Sequence, residues 1–305
     1  MAIETSTPGV DDLGEVLDAL RTWQQDAAPL QLHPGDVGWF WRFGAGATAD
    51  ALRTWRRDGR DLAVGLLDGP DLLRLGIAPD LLHDEELARR IADDATRPER
   101  GVLGEGAASV EAPVGALVDG YLAEAGWGLD EPWALLRRDL AEPVEVPDVR
   151  VRVVGPEEAA SWAEVLRSSF GGTTAAPERW HALATGLPYA DARCLVVHDD
   201  RAAVGRTAGD PGTAPASGPA VAVVGVWSAG PGRPGLIEPM GVHADHRGRG
   251  LGRAVTLAGL AALRGLGASS ALVATAADNV GGVATYVSAG FVHLPERRDR
   301  RRDAD

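Results

Sequence analysis

Residues 236 to 254 read Leu-Ile-Glu-Pro-Met-Gly-Val-His-Ala-Asp-His-Arg-Gly-Arg-Gly-Leu-Gly-Arg-Ala. The apolar segment that ends at Val242 is typical of a β-strand. After Gly252, apolar residues spaced three and four apart predict a helix that extends to Leu266. Between the two lies a turn of arginines and glycines. This region is therefore predicted to be a strand, a turn and a helix in immediate succession.

The turn between this strand and helix has the composition of an anion-binding site. The first N–H groups of a helix have no intrahelical partner, and the helix dipole is positive there. Glycines let the backbone approach a ligand closely, and arginines add charged donors. We therefore predict that a diphosphate is held by the residues of this turn: Arg247, Gly248, Arg249, Gly250, Leu251, Gly252 and Arg253.

Two other interpretations of the turn are a surface turn rich in glycine and arginine, and a dinucleotide-binding turn. The chain has 39 glycines, which is compatible with the first. A dinucleotide turn usually opens a βαβ unit and is followed about 20 positions later by an acidic residue. No acidic residue occurs from Leu251 to Ala277, and the strands before the turn are predicted to be antiparallel. The sequence therefore favours another phosphate-containing ligand.

The composition limits the class of protein. With 305 residues the chain is long enough for two domains, each with its own core. A net charge of -14 argues against a nucleic-acid partner. No apolar run approaches the roughly 20 residues that span a bilayer, so we expect a cytoplasmic protein without a membrane partner. Cys194 is the only cysteine, which excludes an internal disulfide and a cysteine-cluster metal site, and no metal is expected.

A segment from Ala141 to Val149 separates the chain into two halves. It contains two prolines, three acidic residues and no helical periodicity, which predicts an extended linker. Charge runs at chain ends are usually solvated. We therefore predict four regions: a first domain of residues 1–140, a linker of residues 141–149, a second domain of residues 150–295 and a solvated charged tail of residues 296–305.

Two short motifs occur in both halves in the same order. Ile77 to Asp80 corresponds to Val242 to Asp245, at an offset of 242 minus 77, or 165. The Ala-Gly-aromatic motif centred on Gly126 recurs around Gly290, at an offset of 290 minus 126, or 164. Such a repeat suggests an internal duplication.

The elements predicted for the second half alternate between helices and strands. In order they are helices at 157–170 and 177–185, strands at 193–198 and 202–204, a flexible excursion at 207–219, strands at 220–227 and 236–242, a helix at 252–266, a strand at 271–276, a helix at 280–289 and a short strand at 291–294.

At this point residues 150 to 294 resemble the GCN5-related N-acetyltransferase (GNAT) superfamily. Its cofactor loop, Arg/Gln-x-x-Gly-x-Gly/Ala, is matched in full by residues 247 to 252. Its later signature is Asn-x-x-Ala-x-x-Leu-Tyr-x-x-x-Gly-Phe. The chain matches this signature in register but departs from it at two positions, where Ala and Leu are usual. The matching residues are Asn279, Tyr286, Gly290 and Phe291, and the departures are Gly282 and Thr285.

The resemblance implies an α/β (α+β) fold of two GNAT-like domains, each a mixed, mostly antiparallel sheet flanked by helices. It also implies that acetyl-CoA is the co-substrate, with its pyrophosphate on the turn. The pantetheine would follow the strand at Met240 to Val242, where the Val242 amide would polarise the thioester carbonyl. The acetyl group then passes directly to an amine.

The chemistry of amine acetylation requires two proton transfers. An alkylammonium has a pKa of about 10.4 and must lose a proton, while the departing thiolate gains one. Tyr286 matches the family's acid, or is a packed aromatic residue. Glu238 shares the Val242 face of the strand by its period of two and could be the base, or an ordinary strand carboxylate. Asn279 could contact the cofactor or cap the next helix.

The acceptor site is less defined by the sequence. The resemblance places it near Phe170, Trp180, Tyr189 and Trp227, aromatic residues that could equally belong to the core. Pro295 and the charged tail leave little room for the family's last strand, so that strand is missing or donated by another segment.

The first half lacks the anion-binding turn. In the repeat register Leu82 replaces Arg247, and acidic side chains at Asp84, Glu85 and Glu86 cross the loop. Carboxylates would repel a diphosphate, so we predict a degenerate GNAT-like domain that binds no CoA and shapes the acceptor cleft.

The main hypothesis is a tandem GNAT enzyme, monomer or homodimer, that acetylates a small-molecule amine. The alternatives are a protein or antibiotic amine as acceptor, and a CoA-binding module whose chemistry has lapsed.

Overall fold

The computed structural model describes residues 2–172, 175–199 and 218–304. The strand predicted at 202–204 and most of the excursion predicted at 207–219 lie outside these residues.

The first half is a sheet flanked by helices. Its strands are β1 (Glu4–Ser6), β2 (Leu52–Arg57), β3 (Arg60–Leu67), β4 (Leu72–Ile77), β5 (Ala108–Glu111) and β6 (Gly128–Asp139), and its helices are α1 (Leu13–Trp23), α2 (Pro34–Phe40), α3 (Ala45–Ala51), α4 (Glu85–Thr96) and α5 (Val118–Glu124).

The second half has the same kind of architecture. Its strands are β7 (Arg150–Val153), β8 (Ala192–His198), β9 (Ala220–Ser228), β10 (Gly235–Val242), β11 (Ser270–Ala276), β12 (Val292–His293) and β13 (Arg297–Arg302), and its helices are α6 (Ala159–Phe170), α7 (Pro177–Ala184), α8 (Leu251–Gly265) and α9 (Val280–Ser288).

The described strands form one continuous sheet. Their order is β1-β2-β3-β4-β5-β13-β6-β11-β10-β9-β8-β7, and β12 pairs separately with β6. Within this sheet β4–β5 and β10–β11 are parallel, and the other pairs are antiparallel. The fold is therefore the mixed, mostly antiparallel α/β arrangement that the sequence predicted.

The two halves exchange strands at the centre of the sheet. β6 pairs with β11 from Trp133 opposite Ala276 to Asp139 opposite Ser270, so it continues the sheet of the second half. β13 lies between β5 and β6 and continues the sheet of the first half. The strand expected after Leu294 is thus supplied by the first half.

The prediction of a solvated tail at residues 296–305 is wrong. Residues 297–302 form β13, in which Arg297 and Asp299 are only 4% and 5% exposed. Their charges are paired: Arg297 donates to Glu111 at 2.9 Å and to Asp299 at 2.8 Å. Arg300 donates to both carboxylate oxygens of Asp119. Because each buried charge has an opposite charge beside it, a highly charged segment occupies the interior of the sheet.

The order of elements repeats between the halves, as the paired motifs suggested. β4, α4, β5 and α5 are followed by Gly126 with φ of 88°; β10, α8, β11 and α9 are followed by Gly290 with φ of 87°. A left-handed conformation at the end of a helix favours glycine, which accounts for this residue in both motifs. The segment 141–149 between the halves contains no helix or strand.

Helix α2 of the first half packs directly on strand β9 of the second. A Cβ on Gly35 or Gly38 would lie within 2.5 Å of the Trp227 side chain, which is 1% exposed. His33 caps this helix: its Nδ1 accepts from Gly35 N, and its Nε2 lies 3.1 Å from the Pro234 carbonyl oxygen. Glycines therefore allow α2 to contact the tryptophan closely and join the halves.

None of the described helices combines the length and apolar character that crossing a membrane requires.

Candidate active site

Strands β10 and β11 diverge near the middle of the sheet. They pair only at Gly235 with Ala271 and at Leu236 with Leu272. Beyond Leu236, strand β10 bulges between Ile237 and Met240 while keeping its other neighbour, β9. A gap therefore opens beside β10 on the side where β11 would have continued.

Backbone groups of β10 point into this gap. The His243 N–H donates to the Val221 carbonyl, and the register pairs Val242 with Ala222. Antiparallel strands alternate hydrogen-bonded and non-hydrogen-bonded pairs. The N–H groups of Val242 and Met240 are therefore directed away from β9 and towards the gap, where an extended ligand can pair with them.

The bulge is held by two contacts from β9. The Trp227 indole Nε1–H donates to the Glu238 carbonyl oxygen at 2.6 Å. That oxygen approaches Gly225 so closely that a Cβ there would lie 2.4 Å from it. The bulge also breaks the alternation of side chains, so the expectation that Glu238 shares the Val242 face by a period of two is wrong.

The turn after β10 has the geometry of an open helix N-terminus. Gly248 and Gly250 have φ of 73° and 76°, and a Cβ on either would meet no atom within 4 Å. Gly250 is the N-cap of α8 and supplies no side-chain cap. The Ala254 N–H bonds to the Gly250 carbonyl, so the N–H groups of the preceding turn are exposed donors.

The arginines of the turn bind protein groups. Arg247 donates to the Ser169 carbonyl at 2.7 Å. Arg249 donates to the Asp199 carboxylate at 2.6 Å, and Arg253 donates to both oxygens of the Glu145 carboxylate. Only part of each guanidinium is used, since it has five donors.

Helix α9 brings Tyr286 and Asn279 beside the gap. Tyr286 is 6% exposed, and burial followed by the negative charge of Glu238 raises the pKa of its phenol. Asn279 caps α9, because its Oδ1 accepts from the Gly282 N–H at 3.1 Å. A Cβ on Gly282 would lie 2.4 Å from the Asn279 amide nitrogen. This contact explains why glycine replaces the family's alanine.

The second departure from the family signature, Thr285 in place of leucine, also has a steric reason. A Cβ on Gly252 would lie 3.0 Å from the Thr285 Cγ2. Helices α8 and α9 thus meet at this point, and a short β-branched side chain is accommodated at Thr285.

Glu238 faces charged residues of the first half. It shares a hydrogen bond with the Asp36 side chain, and burial followed by the charge of Asp36 raises its pKa well above the ordinary value. For Asp36, burial acts to raise the pKa, but Arg74 and the bond from Glu238 outweigh it and lower the pKa. The proton of this pair therefore resides on Glu238.

A chain of ion pairs continues from Asp36 into the first half. Arg74 lies 2.8 Å from Asp36 and 3.0 Å from Glu111, and Glu111 accepts from Arg297. Burial raises the pKa of Asp299, next to Arg297, to about 6. The chain therefore links Glu238 to the exchanged strand β13.

These groups surround one cavity of roughly 310 Å³ between the halves. Its walls include Glu238, Met240, Asn279 and Tyr286 from the second half. The sequence did not identify the residues that complete it: Asp36, Asp68, Arg74, Glu111, Arg297 and Asp299. Asp68 lies in the turn after β3, the others lie in other helices and strands, and no local motif marks them.

The predicted acceptor aromatics have different positions. Phe170 is 64% exposed and borders this cavity. Trp180 and Trp227 are 6% and 1% exposed and pack in the core, and Trp180 also lines a neighbouring cavity that Phe170 borders. Tyr189 packs edge-on against both tryptophans.

The matching turn in the first half is closed by its own carboxylate. Asp84 is the N-cap of α4, and its Oδ1 accepts from the Leu87 N–H at 2.8 Å. Glu85 and Glu86 occupy the first turn of the helix. The positive end of α4 is therefore neutralised within the chain.

Comparisons with known proteins find a family match within the second half of the chain. Residues 163–291 match the model of the acetyltransferase (GNAT) family. A mycothiol acetyltransferase from Nocardioides sp. is 39% identical over 69 residues, which is 22% of this chain and only 23% of that protein.

Solved structures share the fold over nearly the whole chain. A tandem GNAT protein from the clavulanic acid biosynthesis pathway has a TM-score of 0.60 at 17% identity, with 99% of both chains covered. An N-myristoyltransferase from Saccharomyces cerevisiae with bound myristoyl-CoA has a TM-score of 0.60 at 10% identity, covering all of this chain and 79% of that one.

Residues 163–291 are thus similar to the GNAT acetyltransferase family, and the fold of the chain is similar to that of a tandem GNAT protein.

Proposed function

We propose that the protein transfers an acetyl group from acetyl-CoA directly to the amine of a small molecule. One observation carries this proposal: the N–H groups of Met240 and Val242 point into a gap that has the open α8 N-terminus at one end and the Glu238–Tyr286 cavity at the other. A long ligand fits this arrangement if its diphosphate lies at the α8 N-terminus, its extended amide arm in the gap and its thioester at the cavity.

In this proposal the diphosphate binds residues 247 to 252, where N–H groups and guanidinium donors converge. Arg247 and Arg249 would exchange a protein acceptor for phosphate oxygens. The Met240 and Val242 amides would pair with the pantetheine, and the Val242 N–H would polarise the thioester carbonyl. Asn279 would stay as the cap of α9 beside that arm.

Glu238 and Tyr286 would divide the proton transfers. A raised pKa brings the Glu238 carboxylate closer in basicity to an amine, which favours it as a base. It must first lose the proton that it shares with Asp36. Tyr286 is a protonated phenol at neutral pH, as an ordinary tyrosine is, and burial raises its pKa further, so it would be present as a proton donor for the leaving thiolate.

The first half would bind no CoA and form the opposite wall of the acceptor cavity. This assignment is supported by Asp84, which occupies the N-terminus of α4, and by the line of Asp36, Arg74 and Glu111 facing Glu238. A cavity of roughly 310 Å³ between two halves suits a small molecule, as does the name of the Nocardioides relative. We place the reaction in the cytoplasm.

Release of free CoA thiol during incubation with acetyl-CoA and a panel of small amines tests the proposal. We expect release that depends on the amine and saturates with it. Stoichiometric binding of acetyl-CoA without release would instead favour a lapsed binding module, and release only with peptides would favour a protein acceptor.

A further inference from the structure

A second cavity adjoins the first and has a different character. It also measures roughly 310 Å³, and Phe170, Glu238 and Pro239 line both. Its remaining walls are largely aromatic and apolar, with two exceptions that are cationic. The aromatic and apolar side chains are those of Trp39, Trp162, Leu166, Trp180 and Leu183, and the cations are Arg42 and Arg179.

The two arginines are held in place by rings. The Arg42 guanidinium lies 4.4 Å from the ring centres of both Trp39 and Phe43, and the Arg179 guanidinium lies 4.6 Å from that of Phe43. Arg42 donates to the Trp39 carbonyl and Arg179 to the Arg42 carbonyl. Stacking fixes the planes of the guanidiniums without using their N–H groups.

In the part of the chain that the structure describes, no carboxylate lies within 4.0 Å of Arg42 or Arg179. Burial, together with the charge of Arg179, lowers the pKa of Arg42 to about 10, although Asp68 and Glu238 partly offset this. Arg42 and Arg179 are thus two adjacent cations in one aromatic cavity, and most of their N–H donors are unused. This arrangement suits the binding of an oxyanion.

Resting on the proposed function, we propose that the acceptor is an amino acid-like molecule: an amine joined through an aromatic or apolar body to a carboxylate. The carboxylate binds Arg42 and Arg179, and the body packs against Trp39, Trp162 and Trp180. The amine then reaches past Pro239 to Glu238, in the cavity that contains Tyr286. The acidic groups of that cavity favour the cationic end, so the two cavities fix the direction of the molecule.

A binding experiment tests the oxyanion site without requiring turnover. The protein is titrated with 3-phenylpropionate and with its uncharged analogue 3-phenylpropanamide while tryptophan fluorescence is recorded. The three cavity tryptophans should contribute most of the fluorescence change. We expect the carboxylate to bind roughly 10-fold more tightly or better, because a charged hydrogen bond is lost in the amide. Arg42→Met and Arg179→Met should each remove most of this difference, whereas Arg89→Met on the surface of α4 should keep it. Equal affinity of the two ligands for the unmodified protein would overturn the inference.

A turnover experiment separates this inference from the proposed function. Values of kcat/KM are compared for 6-aminohexanoate against hexylamine and for 4-(aminomethyl)benzoate against benzylamine. We expect a preference of roughly 10-fold or more for the carboxylated member of at least one pair, reduced to within about threefold in Arg42→Met. Turnover of the amines without any such preference would refute the carboxylate site and leave the acetyltransferase proposal intact. Carboxylate binding without turnover of any amine would retain the site and refute the acetyltransferase proposal.

Discussion

The two candidate proton-transfer residues have their pKa values raised by the same physical cause, with opposite consequences. Burial makes the Glu238 carboxylate a stronger base once it is ionised, and it keeps the Tyr286 phenol protonated over a wider pH range. Asp36 adds to the effect at Glu238, because two carboxylates that share a hydrogen bond cannot both ionise easily. Arg74 keeps the negative charge of this pair on Asp36.

Asp299 provides a prediction about stability and pH. Its pKa is about 6 in the folded protein and near 3.8 when the chain is unfolded, so the folded state binds the proton more strongly. The resulting stabilisation is fully present below pH 3.8 and is lost as the pH rises through 6. Between pH 4.5 and 7.5, the free energy of unfolding of Asp299→Asn should increase by about 2 kcal/mol relative to the unmodified protein.

Urea denaturation at the two pH values measures this difference, and the comparison cancels the contributions of all other groups. A difference between variant and parent that does not change with pH would show that Asp299 titrates normally.

At the level of residues, the sequence identified those that act through local geometry. The glycines and arginines of 247 to 252, together with Asn279 and Tyr286, follow a short pattern that can be seen within one stretch of chain. Asp36, Arg74 and Glu111 were not identified, because their proximity to Glu238 arises only when the halves pack together. A charged residue in a strand or helix gives no sign of the distant partner that it meets.

Among the elements, helices α4 and α8 occupy equivalent places but differ at their N-termini. Asp84 satisfies the end of α4, while glycines leave the end of α8 open. The two helices differ in the first turn, whereas the strands before and after α4 follow the same order as those before and after α8. We therefore expect the carboxylate at the cap of α4 to disfavour a diphosphate there.

Gly250→Glu should convert α8 towards the α4 type. The added carboxylate repels a diphosphate and neutralises the positive end of the helix dipole, so the Kd for acetyl-CoA in calorimetry should rise roughly 10-fold or more. Gly115→Glu is the matched control, because Gly115 also has a positive φ, 84°, and open space around its Cβ. Unchanged affinity in Gly250→Glu would show that the diphosphate binds elsewhere.

The contact of α2 with β9 offers a second prediction at this scale. A Cβ on Gly38 would lie 2.4 Å from the Trp227 ring, so Gly38→Ala should lower the free energy of unfolding by about 1–3 kcal/mol. Because Trp227 holds the Glu238 carbonyl, amine acetylation should fall as well.

Gly14→Ala in α1 is the control for this substitution. No atom lies within 4 Å of its Cβ position, so alanine should stabilise that helix by up to about 1 kcal/mol. Equal and small effects at Gly14 and Gly38 in thermal unfolding would argue against the tight contact between the halves.

At the level of elements, the order of the helices and strands described between residues 157 and 294 was predicted from the sequence, but β7 and two further details were not. The bulge in β10 depends on Gly225 and Trp227 of the neighbouring strand, so alternation along β10 alone placed Glu238 on the wrong face. Strand β13 was taken for a solvated tail because its charges have no apolar period. Its partners, Glu111 and Asp119, lie more than 180 residues earlier in the chain.

For the whole molecule, the exchange of β6 and β13 makes the two halves parts of one structure. Each half completes the sheet of the other, and the charge chain from Glu238 to Asp299 crosses the region where the exchanged strands lie. The active half therefore depends on the first half for a strand as well as for a wall of its cavity.

This dependence predicts a single unfolding transition. Trp55 is buried in the core of the first half, and Trp227 in that of the second half. Probes specific to each half, such as variants with one of these tryptophans replaced by phenylalanine, should report the same urea midpoint within error. Two separated midpoints would show that the halves unfold independently and that the exchange of strands contributes little.

The central claim is that Glu238 and Tyr286 carry out acetyl transfer at the gap beside β10. The pH dependence of kcat/KM for amine acetylation, measured for the unmodified protein, Glu238→Gln and Tyr286→Phe, tests it most directly. We predict that activity of the unmodified protein rises with pH through the raised pKa of Glu238. Glu238→Gln should lose this rise and roughly 10² to 10⁴ of the rate, while Tyr286→Phe should lower kcat and keep the rise. If both variants retained the rate and the pH profile of the unmodified protein, the claim would be contradicted.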